Sequence, residues 1–316
     1  MAEPPVLRTV FMGSPALAVP SLRALAEAPD FDLHGVVTVG DARRSRRGAE
    51  VPTPVGEAAL ELDIPLIRWE RGQRREVEAQ ITAMRPDLIV VIAFARILRP
   101  SLLQVPRLGC VNLHASILPW GRGASPIQHA LLEGLDETGW TVMLMDEGLD
   151  TGPLLVTRTL SIEEDWNAGD LGLAMSEMGP GVLISALRNW RDGVIEPRVQ
   201  PEEGVTFTRK IPREAGVLDW SLPALDLHRL VRALNPEPGA WCRRRSARLG
   251  ILRTRPAEGS GEAGTVLEAP KGALRIACGK GALDLLELKP EGKGRMPAAD
   301  YLRGRPFSPG EGLDRG

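Results

Sequence analysis

The run Leu88-Ile89-Val90-Val91-Ile92-Ala93 is apolar at every position and shows no alternation. A strand with one face in water alternates apolar and polar residues. A short run without alternation, set between segments of helical period, instead belongs to the middle of a parallel sheet covered on both faces. The flanking sequence repeats the theme. Val6–Phe11 reads as a strand that ends at Gly13-Ser14-Pro15, and Pro20–Ala28 as the helix that follows. Leu33–Thr38 and Pro65–Ile67 read as strands, Pro54–Leu62 and Gln73–Met84 as helices. Further on, Gly109–His114, Thr138–Met145 and Leu154–Leu160 are strands, Ser125–Glu133 is a helix, and 169–191 is one long helix. Alternation of strand and helix over most of two hundred residues predicts a doubly wound, mostly parallel, Rossmann-like α/β sheet.

The pattern changes after Gly193. Residues 194–207 are polar and punctuated by Pro and Gly, as in a linker, and separate a first domain (1–193) from a second (208–316). In the second, a helix at Leu222–Leu234 precedes short strand-like runs at Arg248–Thr254, Gly264–Leu267, Ala273–Cys278 and Leu283–Lys289. Short strands at regular spacing predict a small β-barrel, with the OB-fold as the candidate of suitable size.

Charge divides along the same line. Residues 1–205 hold 19 Arg, no Lys and 28 Asp or Glu, a net charge of −9, whereas 206–316 hold 20 basic and 13 acidic residues, a net charge of +7. An acidic body fused to a basic C-terminal third predicts that this third meets a polyanion. The longest apolar stretch, Leu88–Ala95, is far short of the ~20 residues that span a bilayer, and the N-terminus has no basic leader. Cys110, Cys242 and Cys278 lie far apart, and none forms a C-x-x-C pair. These features predict a cytoplasmic enzyme with no membrane association, no disulfide framework and no metal.

In α/β sheets ligands bind beyond the carboxyl ends of the strands. Gly13-Ser14-Pro15 lacks the later glycines of a dinucleotide fingerprint. Asn112 and His114 are two residues apart on one strand, so both side chains leave the same face and an amide and an imidazole can converge on one substrate atom. The loop Asp146-Glu147-Gly148-Leu149-Asp150-Thr151-Gly152 can supply a carboxylate to orient the imidazole or move its proton. Taken singly, each residue also suits a structural part: a hydrogen-bonding His, an Asn or an Asp in a turn. Asn, His and Asp without an adjacent Ser or Cys nucleophile suit direct group transfer, in which an amide stabilises a tetrahedral oxyanion while imidazole and carboxylate manage protons.

Asn112-x-His114-x-Ser116-x-Leu118-Pro119, Arg122-Gly123-Ala124-Ser125-Pro126-Ile127 and Gly148-Leu149-Asp150-Thr151-Gly152 together resemble the formyltransferase family that uses 10-formyltetrahydrofolate. The resemblance extends through Phe207-Thr208-Arg209-Lys210-Ile211, Asp219-Trp220-Ser221 and Asn235-Pro236-x-Pro238-Gly239-Ala240-Trp241, and so covers nearly the whole chain. Within the family it points to the branch whose acceptor is the α-amino group of methionine on initiator methionyl-tRNA. It implies that Asn112 holds the formyl oxygen and the developing oxyanion, that His114 serves the leaving folate nitrogen, and that Asp150 sets the state of the imidazole. It further implies folate contacts at Phe94, Arg96, Ile97, Leu98, Ser116, Ile117, Leu118, Pro119 and Gly148, tRNA contacts at Lys210, and action as a monomer.

Two stretches depart from the family pattern. Phe94-Ala95-Arg96-Ile97-Leu98 stands where Tyr-Gly-x-Ile-Leu is frequent, and Gly40-Asp41-Ala42-Arg43-Arg44-Ser45-Arg46-Arg47-Gly48 stands where a proline-containing, lysine-rich loop enters the acceptor stem. Arg43, Arg44, Arg46 and Arg47 lie in a polar, Gly-bounded segment after a strand, and the guanidinium fork suits phosphates and guanine edges, so this loop is the second expected tRNA contact. The rival readings are a formyltransferase for a small amine (glycinamide ribonucleotide or an amino sugar nucleotide), a hydrolase releasing formate from the same folate, and a non-catalytic RNA-binding protein. The basic third argues against the first two and the trio Asn112, His114 and Asp150 against the last.

Overall fold

The computed structural model describes residues 5–40, 43–44, 50–268, 272–308 and 310–314. The chain divides into two compact units whose segments interleave: 1–123, 138–161 and 172–207 form the first, and 124–137, 162–171 and 208–316 the second.

The first unit is built on β1 (Leu7–Gly13), β2 (Phe31–Val39), β3 (Leu66–Trp69), β4 (Leu88–Ile92), β5 (Cys110–His114), β6 (Glu137–Leu144) and β7 (Leu154–Ser161), in the spatial order β7-β6-β5-β4-β1-β2-β3. Every residue of β4 is buried, as its unbroken apolar run requires. It pairs in parallel with β1 on one side (Val10↔Ile89, Met12↔Val91) and with β5 on the other (Val91↔Asn112). The expected mixture lies at one edge, where β6 runs antiparallel to β5 and sets Thr141 opposite His114.

Helices α1 (Val19–Glu27), α2 (Pro54–Glu61) and α3 (Arg74–Ala83) connect the first strands. Thr53 caps α2, its hydroxyl accepting the Gly56 N–H at 3.1 Å, and Pro54 follows at the first helical position. Val77 and Ile81 of α3 pack on Val10, Val37, Ile89 and Val91 of the sheet in one apolar cluster. Trp140 of β6 is buried and donates Nε1–H to the Met175 carbonyl at 2.8 Å. Arg43–Arg44 pair with Glu50–Val51 as a two-residue antiparallel ladder. Arg46 and Arg47 lie outside the described residues, and the long helix Ala168–Arg191 contains Pro180.

The second unit contains β8 (Ala240–Arg244), β9 (Ala247–Ala257), β10 (Val266–Glu268), β11 (Leu274–Ala277) and β12 (Ala282–Pro290), an antiparallel sheet of order β8-β9-β12-β11-β10, with Met296–Pro297 added against β12. This is the expected OB-like β-structure. The helix Ala224–Leu234 closes it, burying Leu227 and Val231 with Leu249, Ile251, Leu274, Ile276, Leu283 and Leu285. A second helix, Pro126–Glu133, belongs to the same unit although it lies early in the sequence.

Candidate active site

The last residues of β5 supply two polar side chains to an otherwise apolar strand. Asn112 and His114 are both buried, and the two-residue period aims them the same way. Asp150 meets them from the loop between β6 and β7. Its Oδ1 accepts a hydrogen bond from Asn112 Nδ2 at 3.4 Å, and its Oδ2 lies 3.7 Å from His114 Nδ1. The structure thus brings Asn112, His114 and Asp150 together around one point.

Backbone groups set the roles of the ring nitrogens. His114 Nε2 lies 2.9 Å from the Gly121 carbonyl, which can only accept, so Nε2 carries hydrogen and donates. Nδ1 is then the position free to take or give a proton, and it is the nitrogen facing Asp150. The Gly123 N–H donates to Asp150 Oδ2 at 2.8 Å, so the carboxylate is fixed by a main-chain donor as well as by Asn112. One amide hydrogen of Asn112 goes to Asp150, which leaves the other for an incoming oxygen.

Asp150 occupies the left-handed region at φ +52°, which costs a non-glycine residue free energy and needs support from its surroundings. The loop provides that support. Asp146 Oδ1 accepts from the Gly148 N–H at 3.0 Å and from the Thr151 hydroxyl at 2.6 Å. A Cβ on Gly152 would stand 1.8 Å from the Leu144 carbonyl oxygen, so only glycine lets the loop close so tightly on β6.

Gln200 supplies a further clamp. Its amide nitrogen donates to the carbonyls of Asp150 and Gly152, each at 2.8 Å, and its Oε1 accepts from Arg122 Nε at 3.1 Å and from the second guanidinium nitrogen at 2.7 Å. Sequence reasoning missed Gln200. A single glutamine in a polar stretch belongs to no motif, and no signal in the sequence singles it out.

The other expected contacts occupy varied surroundings. Ser116 is fully buried and donates Oγ–H to the Trp120 carbonyl at 2.7 Å, which braces the turn after β5. Thr141 ties the same turn to β6, donating to the Ser116 carbonyl at 2.7 Å and accepting from the Leu118 N–H at 3.1 Å. Leu118 is buried, Ile117 and Pro119 are half-buried, and Gly148 is exposed. In the loop after β4, Phe94 stacks obliquely on Trp69 with ring centroids 5.9 Å apart, and Arg96 donates to the Trp69 carbonyl at 3.2 Å. Ile97 is 77% exposed, whereas Leu98 belongs to the apolar core. The loop therefore presents the Ile97 side chain to solvent and keeps that of Leu98 in the core. Lys210 is exposed in the second unit. Arg43 and Arg44 are described only as backbone.

No group of three or more His, Cys, Asp or Glu able to hold a metal ion occurs among the described residues. The three cysteines are buried free thiols, with Cys110 and Cys242 pushed up to about 12 by burial. The chemistry available at the trio is hydrogen bonding to a developing oxyanion and proton transfer at Nδ1.

Residues 9–187 match the family model described as formyl transferase, and residues 210–306 match the model described as formyl transferase, C-terminal domain. A curated methionyl-tRNA formyltransferase of Halorhodospira halophila is 44% identical over 306 residues, covering 96% of this chain and 98% of the relative. The methionyl-tRNA formyltransferase of Syntrophomonas wolfei is 36% identical over 307 residues, with coverage of 96% and 98%. Among solved structures, the sugar 3N-formyl transferase WlaRD, crystallised in the presence of dTDP and 5-N-formyl-THF, superposes with a TM-score of 0.65 at 16% identity, covering 92% of this chain and 99% of that one. At that identity the likeness is one of fold.

Proposed function

The chain belongs to the formyl transferase family, among the methionyl-tRNA formyltransferases, and from that premise we propose how its residues divide the work of the reaction. It transfers the formyl group of 10-formyltetrahydrofolate to the α-amino group of methionine esterified to initiator tRNA, which serves translation initiation. The amine attacks the formyl carbon, a tetrahedral oxyanion forms, and the bond from that carbon to the folate N10 breaks. The amine loses a proton and N10 gains one. Asn112 donates its free amide hydrogen to the oxyanion, a charge absent from the substrates, and therefore lowers the barrier rather than only strengthening binding. His114 carries the proton at Nδ1 toward N10, and the Asp150 carboxylate, 3.7 Å from that nitrogen, orients the ring for the transfer. The folate lies along the loops Phe94–Leu98 and Ser116–Pro119 and against Gly148.

The observation that carries this assignment is the convergence of an amide, an imidazole and a carboxylate, with Asp150 Oδ1 3.4 Å from Asn112 Nδ2 and Asp150 Oδ2 3.7 Å from His114 Nδ1. Residues 1–193 perform the transfer, 194–207 connect, and 208–316 with Lys210, together with Arg43, Arg44, Arg46 and Arg47, hold the tRNA. The trio comes from one chain, so a monomer suffices for the transfer, and an acceptor used in translation initiation puts its action in the cytoplasm. The test is labelled formyl transfer to methionyl initiator tRNA against glycinamide ribonucleotide. Efficient transfer to the tRNA is expected. Equal or better use of the small amine overturns the acceptor assignment, and retention of near-normal turnover by His114→Ala overturns the site.

A further inference from the structure

The segment that follows the long helix Ala168–Arg191 carries no residue of the trio, yet it touches the supports of two of its members. Gln200 is 7% exposed, and its amide has two donors and two acceptor sites. All four are used: both donors go to main-chain carbonyls on either side of Thr151, and both acceptor sites take guanidinium hydrogens of Arg122. Carbonyls only accept and guanidinium only donates, so the orientation of the amide is fixed. Six residues on, the Thr206 hydroxyl accepts the Gly121 N–H at 2.7 Å, and the Thr206 carbonyl accepts the Arg122 N–H at 3.0 Å. Gly121 is the residue whose carbonyl holds His114 Nε2, and Gly123, next to Arg122, is the one whose N–H holds the Asp150 carboxylate.

We propose that Gln200 is a positioning residue for formyl transfer, which clamps the strained backbone of Asp150 to the Arg122–Gly123 turn and so holds the carboxylate in register with His114 Nδ1. This rests on the assignment of His114 and Asp150 to the chemistry. Asp150 at φ +52° is held in a conformation that costs a non-glycine residue free energy, and a displacement of about 1 Å at a reacting group costs on the order of 10² in rate. Two hydrogen bonds to the carbonyls of Asp150 and Gly152, from an amide whose oxygen is tied to Arg122, oppose its relaxation. With all four hydrogen-bonding positions of its amide filled by protein groups, Gln200 acts through Asp150.

That dependence gives a test which a general structural role does not pass. Single-turnover formyl transfer to methionyl initiator tRNA is measured for the full chain, Gln200→Ala, Asp150→Asn and the double variant, with the affinity for a formylfolate analogue measured on each. The transfer rate of Gln200→Ala is expected to fall by roughly 30-fold to 100-fold with analogue affinity changed by less than about threefold, and in the Asp150→Asn background the same substitution is expected to cost less than about threefold. The same factor in both backgrounds, or an unchanged rate, overturns the proposal. If Gln200→Ala does not fold, Gln200→Glu serves instead: it keeps the shape and the acceptors for Arg122 but turns a donor into an acceptor facing two carbonyls. A wild-type rate for Gln200→Glu likewise overturns the proposal. If the unmodified chain formylates no methionyl-tRNA, the acceptor reading is what has failed, and the same four proteins are compared with glycinamide ribonucleotide as the acceptor, where an equal factor in both backgrounds or an unchanged rate again overturns the proposal.

Discussion

The proposed part of Asn112 in the reaction can be tested apart from its place in the fold. It sits in register with Met143 on β6, and its backbone bonds are made by the sheet whatever the side chain, so Asn112→Ala should leave the chain folded. Its amide is the one side-chain donor at the trio that bears no charge in any state, which suits an oxyanion that exists only briefly. Asn112→Ala is expected to lower kcat by roughly 10² to 10³ with the folate KM within about twofold, as measured by single-turnover transfer and analogue binding. A variant turning over near the wild-type rate would remove Asn112 from the mechanism. The trio was legible because strand period and loop position constrain side chains. The groups that hold it were not: the Gly121 carbonyl and the Gly123 N–H belong to the main chain and carry no residue signature, and the tie from Gln200 to Asp150 spans fifty positions of sequence. Ser116 shows the intermediate case. Its place in the motif was plain, but its bond to the Trp120 carbonyl depends on a turn that only the folded chain displays.

At the level of elements, β4 announced itself because every face of it is covered, whereas β8 did not. In β8, Ala240 and Cys242 point inward while Trp241 occupies the outward position, so the apolar run shows no alternation. Arg243 and Arg248 place their guanidinium groups 5.6 and 4.4 Å from the Trp241 ring, which lets an aromatic face outward without lying bare. The helix Ala224–Leu234 carries a titratable group that its amphipathic pattern does not reveal. His228 bonds through Nδ1 to the Thr254 hydroxyl at 2.9 Å and is pushed down from 6.5 to about 4, first by burial and then by the charges of Arg232 and Arg229. The folded chain keeps this ring neutral, so the stability it contributes is complete above about 6.5, where the unfolded chain is neutral too, and is lost as pH falls toward 4. Thermal melts should therefore show Tm declining from about pH 6.5 to 5, before the carboxylates titrate, and His228→Gln should flatten that decline. An unchanged slope would mean that the folded ring takes up its proton freely. The loop containing Arg43, Arg44, Arg46 and Arg47 gives an element-scale prediction from charge alone: replacing the four with Gln should raise the KM for methionyl-tRNA and flatten its salt dependence by up to about 0.9 per lost phosphate contact, with folate binding unchanged. Unaltered KM and slope would leave the loop a solvated turn.

Across the whole sequence, charge is divided between the first 205 residues and the last 111 rather than balanced within each. Residues 1–205 carry −9 and residues 206–316 carry +7, so the cations available to a polyanion are concentrated in the C-terminal third of the sequence. The sequence shows this division, but not that residues 124–137 and 162–171, with seven acidic and no basic side chains, fold with residues 208–316 and bring the net charge of that unit to zero. Truncation near residue 207 would remove the remainder of the unit to which those segments belong, so charge reversal in the intact chain is the cleaner probe. Lys210, Arg245, Lys289 and Lys293 are exposed, and changing all four to Glu takes the basic part from +7 to −1 without touching the core. Counterion release makes phosphate binding fall steeply with salt, so wild-type kcat/KM for methionyl-tRNA should drop by at least about tenfold between about 50 and 200 mM salt, while folate-analogue affinity stays level. The fourfold variant should start at least about tenfold lower at 50 mM and show a shallower slope, because it has fewer counterions to displace. If its slope and its low-salt rate both match those of the wild type, the +7 part contributes no long-range attraction, and capture of the tRNA must rest on short-range contacts near the trio.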